Sequence, residues 1–254
     1  MSLHIDSIGS GAPLVLLHGW GMDGGIWDNV VQQLARRFRV HNVDLPGHGA
    51  SSRSEKHDLD SVVEQVAAQF DEAVNVCGWS LGGQIAMRWA ALRPEQIGKL
   101  VLVSTTPCFV QRTGWEPAMA NDVLLAFAAA LMDDPELVLR RFLALQLRGS
   151  EHERKILADM RARLFCRGKP DIGALRGGLE ILRDTDLRAS LPGLDLEVLV
   201  VAGDRDLLTP FAASAYLARS LARARLVGVK GASHAPFLSH PEIFLESVTN
   251  FIHG

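Results

Sequence analysis

Cysteine is scarce. Cys77, Cys108 and Cys166 are the only three in 254 residues, an odd set that cannot form a complete disulfide framework, so a reducing compartment is expected. Neither sign of charge dominates: 26 Lys and Arg against 29 Asp and Glu leave a formal net charge of -3, too even for a protein that coats nucleic acid. Long apolar runs are missing as well. The most lipid-like stretch, 123–132, is ten residues, whereas crossing a bilayer takes about 20. The opening Met1-Ser2-Leu3-His4-Ile5-Asp6 lacks the basic stretch and apolar run of a secretory signal. No Cys/His set has zinc spacing, and no Gly-rich loop ends in the Lys-Ser/Thr of a phosphate cradle. Tandem repeats and low-complexity tracts are absent too. A soluble, cytoplasmic monomer is the expectation, with no metal, cofactor, nucleic acid or membrane partner.

What is present suits one globular domain with room for an inserted subdomain: 48% hydrophobic and 22% charged residues, in a chain long enough to bury a full core. Short β-branched or Leu-rich runs at 13–17, 39–44, 73–78, 99–104, 197–202 and 225–230 predict strands. Amphipathic stretches at 26–38, 59–70, 82–92, 210–221 and 241–252 predict helices, with Asp58 and Thr209 as start signals. The alternation is that of an α/β fold, a mostly parallel sheet flanked by helices.

One region breaks the rhythm. Residues 108–191 show no strand pattern, only helical periodicity at 123–132, 136–147 and 151–165. We read 108–191 as a helical lid inserted in a core made of 1–107 and 192–254, lying over the strand ends where open α/β sheets place ligands. Its charge is uneven: 140–176 holds ten basic and four acidic residues, an excess of six positive charges that leaves nine net negative charges elsewhere.

Gly78-Trp79-Ser80-Leu81-Gly82-Gly83 matches Gly-x-Ser-x-Gly between a predicted strand and a predicted helix. A nucleophile raised on so tight a turn needs small neighbours, because the backbone crowds itself there. The turn also places Ser80 near a helix N-terminus, where free N–H groups face developing negative charge.

A serine hydroxyl needs a base to take its proton, and the base needs an acid to orient it. Of nine histidines, only His234 lies in a loop after the last predicted strand, in Gly231-Ala232-Ser233-His234-Ala235-Pro236. Gly203-Asp204-Arg205-Asp206 follows the strand before it and offers two acids. Spacing alone does not choose between them. Asp206 is favoured because it sits farther past the strand end, while Asp204 suits a turn. The chain order Ser80, Asp206, His234 is that of the α/β-hydrolase arrangement.

Acyl transfer also needs two N–H donors for the oxyanion. The backbone of Leu81 is one candidate and that of Trp20, after His18-Gly19, is the other. His18, His48 and His240 read as residues that order loops or a helix start.

With His18-Gly19-Trp20-Gly21 and Asp44-Leu45-Pro46-Gly47-His48-Gly49 added, the motifs resemble the α/β-hydrolase superfamily over nearly the whole chain. The segments Arg141-Phe142-Leu143-Ala144-Leu145-Gln146, Gly177-Gly178-Leu179-Glu180-Ile181-Leu182 and His234-Ala235-Pro236-Phe237 further resemble the family of esterases that act on the methyl ester of pimeloyl-[acyl-carrier protein] in bacterial biotin synthesis. That resemblance implies an acyl-carrier protein as partner. It also implies substrate contacts from Trp20, Ser80, Leu81, His234 and the run Phe142, Leu143, Ala144, Leu145 and Gln146. An acidic carrier needs a positive face, for which the lid offers Arg140, Arg141, Arg148, Arg154, Lys155, Arg161 and Arg163. Competing readings are a general carboxylesterase, thioesterase or C–C-bond hydrolase on the same scaffold, or a hydrolase-like receptor without turnover.

Overall fold

The computed structural model of the chain describes residues 2–254. Seven strands form one sheet: β1 (Ile5–Ile8), β2 (Ala12–Leu17), β3 (Phe38–Val43), β4 (Val74–Trp79), β5 (Ile97–Val103), β6 (Glu197–Gly203) and β7 (Ala224–Val229). Their order is β1-β3-β2-β4-β5-β6-β7, with β1 antiparallel to β3 and every other pairing parallel. Parallel strands covered on both faces need near-continuous apolar runs, and β2, β5 and β6 have them. In β2 the side chains alternate between two apolar layers. Leu14 and Leu16 join Val30, Leu34, Phe244 and Val248, whereas Val15 and Leu17 join Val63, Ile85, Leu100 and Leu217. A one-residue slip would exchange the two sets, so burial of both faces specifies the register.

The first layer contains α1 (Asp28–Leu34) and the second α2 (Leu59–Ala67) and α3 (Leu81–Leu92). Between β5 and β6 lie α4 (Asn121–Asp133), α5 (Pro135–Leu147), α6 (Glu153–Arg163) and α7 (Ile172–Asp184); α8 (Phe211–Ser220), α9 (Pro236–Ser239) and α10 (Pro241–His253) complete the chain. The two chain ends of this helical segment meet where Cys108 bridges Asp186 and Leu187 N donates to the Pro107 carbonyl at 2.8 Å. The inserted helices reach the loops after three strands. Trp20 Nε1 donates to the Leu175 carbonyl, Asp171 N to that of Gly47, and His234 N to that of Gln146.

Several elements differ from the sequence expectation. Strand β1 was not expected; its residues are mostly exposed, and it adds to the edge of the sheet through its backbone. The helix expected over 26–38 is shorter. Asp23 accepts from Gly25 N to cap a 3-10 turn over Gly24–Trp27, α1 ends at Leu34, and the chain turns so that Phe38 can enter the sheet fully buried. Helix α6 starts only at Glu153, because Glu151 N is held by the Gly231 carbonyl and His152 adopts a left-handed φ of 60°. Asp58 does cap α2, accepting from Ser61 N. Thr209 caps nothing, since the residue before α8 is Pro210 and the Thr209 hydroxyl is engaged elsewhere. No helix among the described residues is long and apolar enough to cross a membrane.

Candidate active site

Strand order reverses between β2 and β4, because β3 lies on one side of β2 and β4 on the other. Such a switch point opens a crevice at the carboxyl ends of the strands. Trp20 follows β2 and Ser80 follows β4, one on each side of it.

Ser80 sits at φ 54°, ψ -118°, a strained conformation for a residue with a side chain. Its surroundings hold it there. Ser80 N donates to the Val103 carbonyl at 3.0 Å, and the Ser80 carbonyl accepts from the Thr105 hydroxyl at 2.7 Å. The turn closes only because its flanks lack side chains. A Cβ on Gly78 would lie 2.3 Å from the Gly82 carbonyl oxygen, and one on Gly82 would lie 2.4 Å from the Leu17 oxygen and 2.6 Å from that of His18. Both obstacles are backbone and cannot swing away. Gly82→Ala is therefore expected to destabilise the protein by about 3 kcal/mol. For a domain of this size that is a melting point lower by roughly 6–12 °C. Thermal unfolding by circular dichroism checks it, and a melting point within a degree of wild type would contradict the packing described.

His234 is tied to both halves of the molecule. Its N–H donates to the Gln146 carbonyl of α5 at 3.0 Å, and its carbonyl accepts from Trp79 Nε1, the neighbour of Ser80, at 2.7 Å. Its Nδ1 lies 2.8 Å from Asp206 Oδ2, and both side chains are essentially sealed from solvent, at 1% and 0% exposure. It is Asp206, not Asp204, whose carboxylate meets the imidazole; Asp204 Oδ1 instead accepts from Gly231 N at 2.7 Å. The other ring nitrogen, Nε2, is buried and has no hydrogen-bond partner, so the link from Ser80 to His234 is open in this structure. Catalytic hydrogen bonds often tighten only when substrate is present.

Asp206 is the most fully bonded carboxylate of the site. Oδ1 accepts from Leu208 N at 2.8 Å and Thr209 N at 2.9 Å, while Oδ2 accepts from the Thr209 hydroxyl at 2.7 Å as well as from His234. The sequence reading missed this part played by Thr209. The signal lay in the spacing, since an Asp commonly binds backbone and hydroxyl donors two and three residues ahead.

Among the described residues, the amides of Trp20 and Leu81 donate to no protein acceptor. Leu81 is the first residue of α3, where an N–H has no intrahelical partner. The Trp20 ring is fully buried, donates from Nε1 to the Leu175 carbonyl, and meets Phe127 and Phe142 edge-on at centroid distances of 5.4 and 5.0 Å. His18, just before it, orders the loop. Its Nε2 accepts from Leu45 N at 2.9 Å, so Nδ1 carries the proton donated to the Gly19 carbonyl at 2.8 Å. Burial pushes the His18 pKa down to about 4 against the opposing pull of the Gly19 carbonyl, which keeps the ring neutral. His48 is likewise buried and neutral; His240 precedes α10 and contacts Ser239.

Helical geometry divides the run 142–146. Phe142 and Leu145 pack in the layer that contains Trp20, but Leu143 is buried in the opposite layer with Trp79 and Leu147 and is not brought to Trp20. Ala144 is half-buried. Gln146 is buried, with its side-chain oxygen unpartnered. The basic residues divide as well. Arg140 pairs with Glu136 at 2.8 Å and Arg163 with Asp28 at 3.2 Å, so local carboxylates already offset both. Arg141, Arg148, Arg154, Lys155 and Arg161 are exposed and, among the described residues, form no ion pair. A separate cavity of about 270 Å³ lies between residues 21–29 and α6; Met22, Leu143 and Met160 line it, and none of Ser80, Asp206 and His234 does.

The Alpha/beta hydrolase family matches residues 14–247. The chain is 46% identical over 244 residues to the pimeloyl-[acyl-carrier protein] methyl ester esterase of Nitrosomonas europaea, covering 96% of this chain and 97% of that one. To the protein of the same name from Aeromonas hydrophila it is 42% identical over 254 residues, covering 99% and 100%. Among solved structures, an esterase from Exiguobacterium antarcticum superposes with a TM-score of 0.91 at 25% identity, covering 99% of this chain and 96% of that one. A sheet with a strained serine at its switch point, and full-length likeness at these identities, lead to one assignment: the chain belongs to the alpha/beta hydrolase family and, within it, to the pimeloyl-[acyl-carrier protein] methyl ester esterases.

Proposed function

We propose that the protein is a serine carboxylesterase that hydrolyses the methyl ester of pimeloyl-[acyl-carrier protein], releasing methanol and the free acid in biotin synthesis. The observation that carries this reading is the buried Asp206–His234 pair, bonded at 2.8 Å and tied through Trp79 to the strained turn of Ser80. It occurs in a chain 46% identical to a protein of that name.

In this reading Ser80 Oγ attacks the ester carbonyl as His234 Nε2 takes its proton. Asp206 holds Nδ1–H, so the imidazole presents an acceptor at Nε2 and its cation is stabilised once formed. The amides of Trp20 and Leu81 bind the oxyanion, each worth about 100- to 1,000-fold in rate. His234 then protonates the departing methoxide to methanol. Water, deprotonated by His234, attacks the acyl-enzyme; His234 returns the proton to Ser80 and the pimeloyl carboxylate is freed. Trp20, Phe142 and Leu145 give the acyl chain an apolar wall. The 108–191 insertion acts as the lid over this site.

The carrier is held by charge. Arg141, Arg148, Arg154, Lys155 and Arg161 form the docking face, while Arg140 and Arg163 contribute less because Glu136 and Asp28 already partner them. Exposed charges are screened beyond about 8 Å at physiological ionic strength. The decisive experiment supplies purified enzyme with the methyl ester of pimeloyl-[acyl-carrier protein] and with a small methyl ester, at low and high salt, and measures methanol. The carrier-bound ester is the preferred substrate, and salt is expected to lower its kcat/KM by about tenfold while changing that of the small ester less than about twofold. No methanol from the carrier-bound ester rejects the proposed substrate; equal salt responses reject the docking face.

A further inference from the structure

Thr209 lies three positions after Asp206, in the loop before α8, and its side chain turns back into the site. Its hydroxyl is buried, donates to Asp206 Oδ2 at 2.7 Å, and lies 3.4 Å from His234 Nδ1. A hydroxyl has one proton, and the carboxylate receives it. The lone pairs of the same oxygen therefore face Nδ1–H, which is shared between Asp206 Oδ2 at 2.8 Å and, more weakly, Thr209 Oγ1. Three groups, Thr209, Asp206 and His234, thus close a buried triangle of hydrogen bonds.

We propose that Thr209 is a positioning residue for the Asp206–His234 pair: its hydroxyl fixes the carboxylate in the rotamer that meets the imidazole by donating to the same oxygen that faces the ring. Backbone donors alone do not do this. Leu208 N and Thr209 N both bind Oδ1, so without the hydroxyl Oδ2 has only the imidazole to hold it. The other charged groups near the pair are directed elsewhere. Asp204 accepts from Gly231 N, the Arg205 guanidinium donates to the Gly149 carbonyl, Lys230 is exposed, and Glu151 faces His240 Nε2 at 3.6 Å. Among the described residues, Thr209 is thus the one neighbour besides His234 whose side chain bonds the carboxylate.

The inference rests on the serine-esterase reading of the site. Thr209→Val removes the hydroxyl while keeping shape and both backbone donors. With an activated acetate ester, it is expected to lower kcat about tenfold. Freed from a donor, the carboxylate holds the imidazolium proton more strongly, so the acidic limb of the kcat/KM profile moves to higher pH by about half a unit or more. Thr209→Ser keeps the hydroxyl and is expected to hold the wild-type limb. Thr209→Ala also lacks it and is read as the Val variant is, should valine not be accommodated. A purely structural role would lower the melting point and leave the limb in place. Unmoved limbs in the folded Val or Ala variant, or a moved limb in the Ser variant, would overturn the proposal. Labelling of Ser80 by a fluorophosphonate is followed in parallel on the wild type; failure to label would overturn the serine-esterase reading instead.

Discussion

Ser80→Ala is expected to lower kcat for the carrier-bound ester by about 10⁶-fold while leaving the fold in place. In the proposed mechanism the hydroxyl supplies the only atom that bonds to the acyl group, so no neighbour can substitute for it. Among the described residues its oxygen makes no hydrogen bond, and alanine at φ 54° is strained no differently from serine. Stability should accordingly stay within about 0.5 kcal/mol, the usual range for a change that breaks no contact. Methanol release under single-turnover conditions, beside a thermal melt, separates chemistry from folding. Turnover near the wild-type rate in a folded variant would exclude Ser80 as nucleophile.

The second large effect is expected at Asp206. In Asp206→Asn the amide cannot choose its orientation freely, because Leu208 N and Thr209 N both donate to the position of Oδ1 and demand an oxygen there. The NH₂ then takes the place of Oδ2 and donates to His234 Nδ1, while Thr209 rotates to accept from it. An imidazole that accepts at Nδ1 carries its proton on Nε2, the atom that in the proposed mechanism receives the proton of Ser80. The base is in the wrong tautomer, and kcat is expected to fall by about 10⁴-fold with little change in KM. Partial recovery at alkaline pH, where hydroxide can take the Ser80 proton in place of the base, is the accompanying signature. A variant of near wild-type rate would mean that Asp206 does not set the tautomer.

Most of the sheet was legible in the sequence for a specific reason. Strands β2, β5 and β6 are buried on both faces, so their apolar runs are continuous and bounded, and the expected spans fall within two residues of those observed. Edge strand β1 was not legible: it is mostly exposed, and pairing is supplied by its backbone, on which the side-chain pattern is silent. Helix α7 went unassigned although its apolar residues Leu175, Leu179 and Leu182 are spaced for one face. The run 142–146 was read as a unit because it is contiguous in sequence, yet a helix turns about 100° per residue and sends Leu143 to the other layer.

By itself the sequence determined the local chemistry. A serine between glycines whose Cβ atoms would strike backbone, at the junction of an apolar strand and a helix, admits few conformations, and that constraint is written in adjacent residues. Only the tertiary structure decided which of Asp204 and Asp206 meets His234, that the Thr209 hydroxyl donates to the carboxylate, and which cations of 140–163 form no ion pair among the described residues. Each of those is a matter of side-chain direction across loops joined by the sheet, and direction is set by packing rather than by order along the chain.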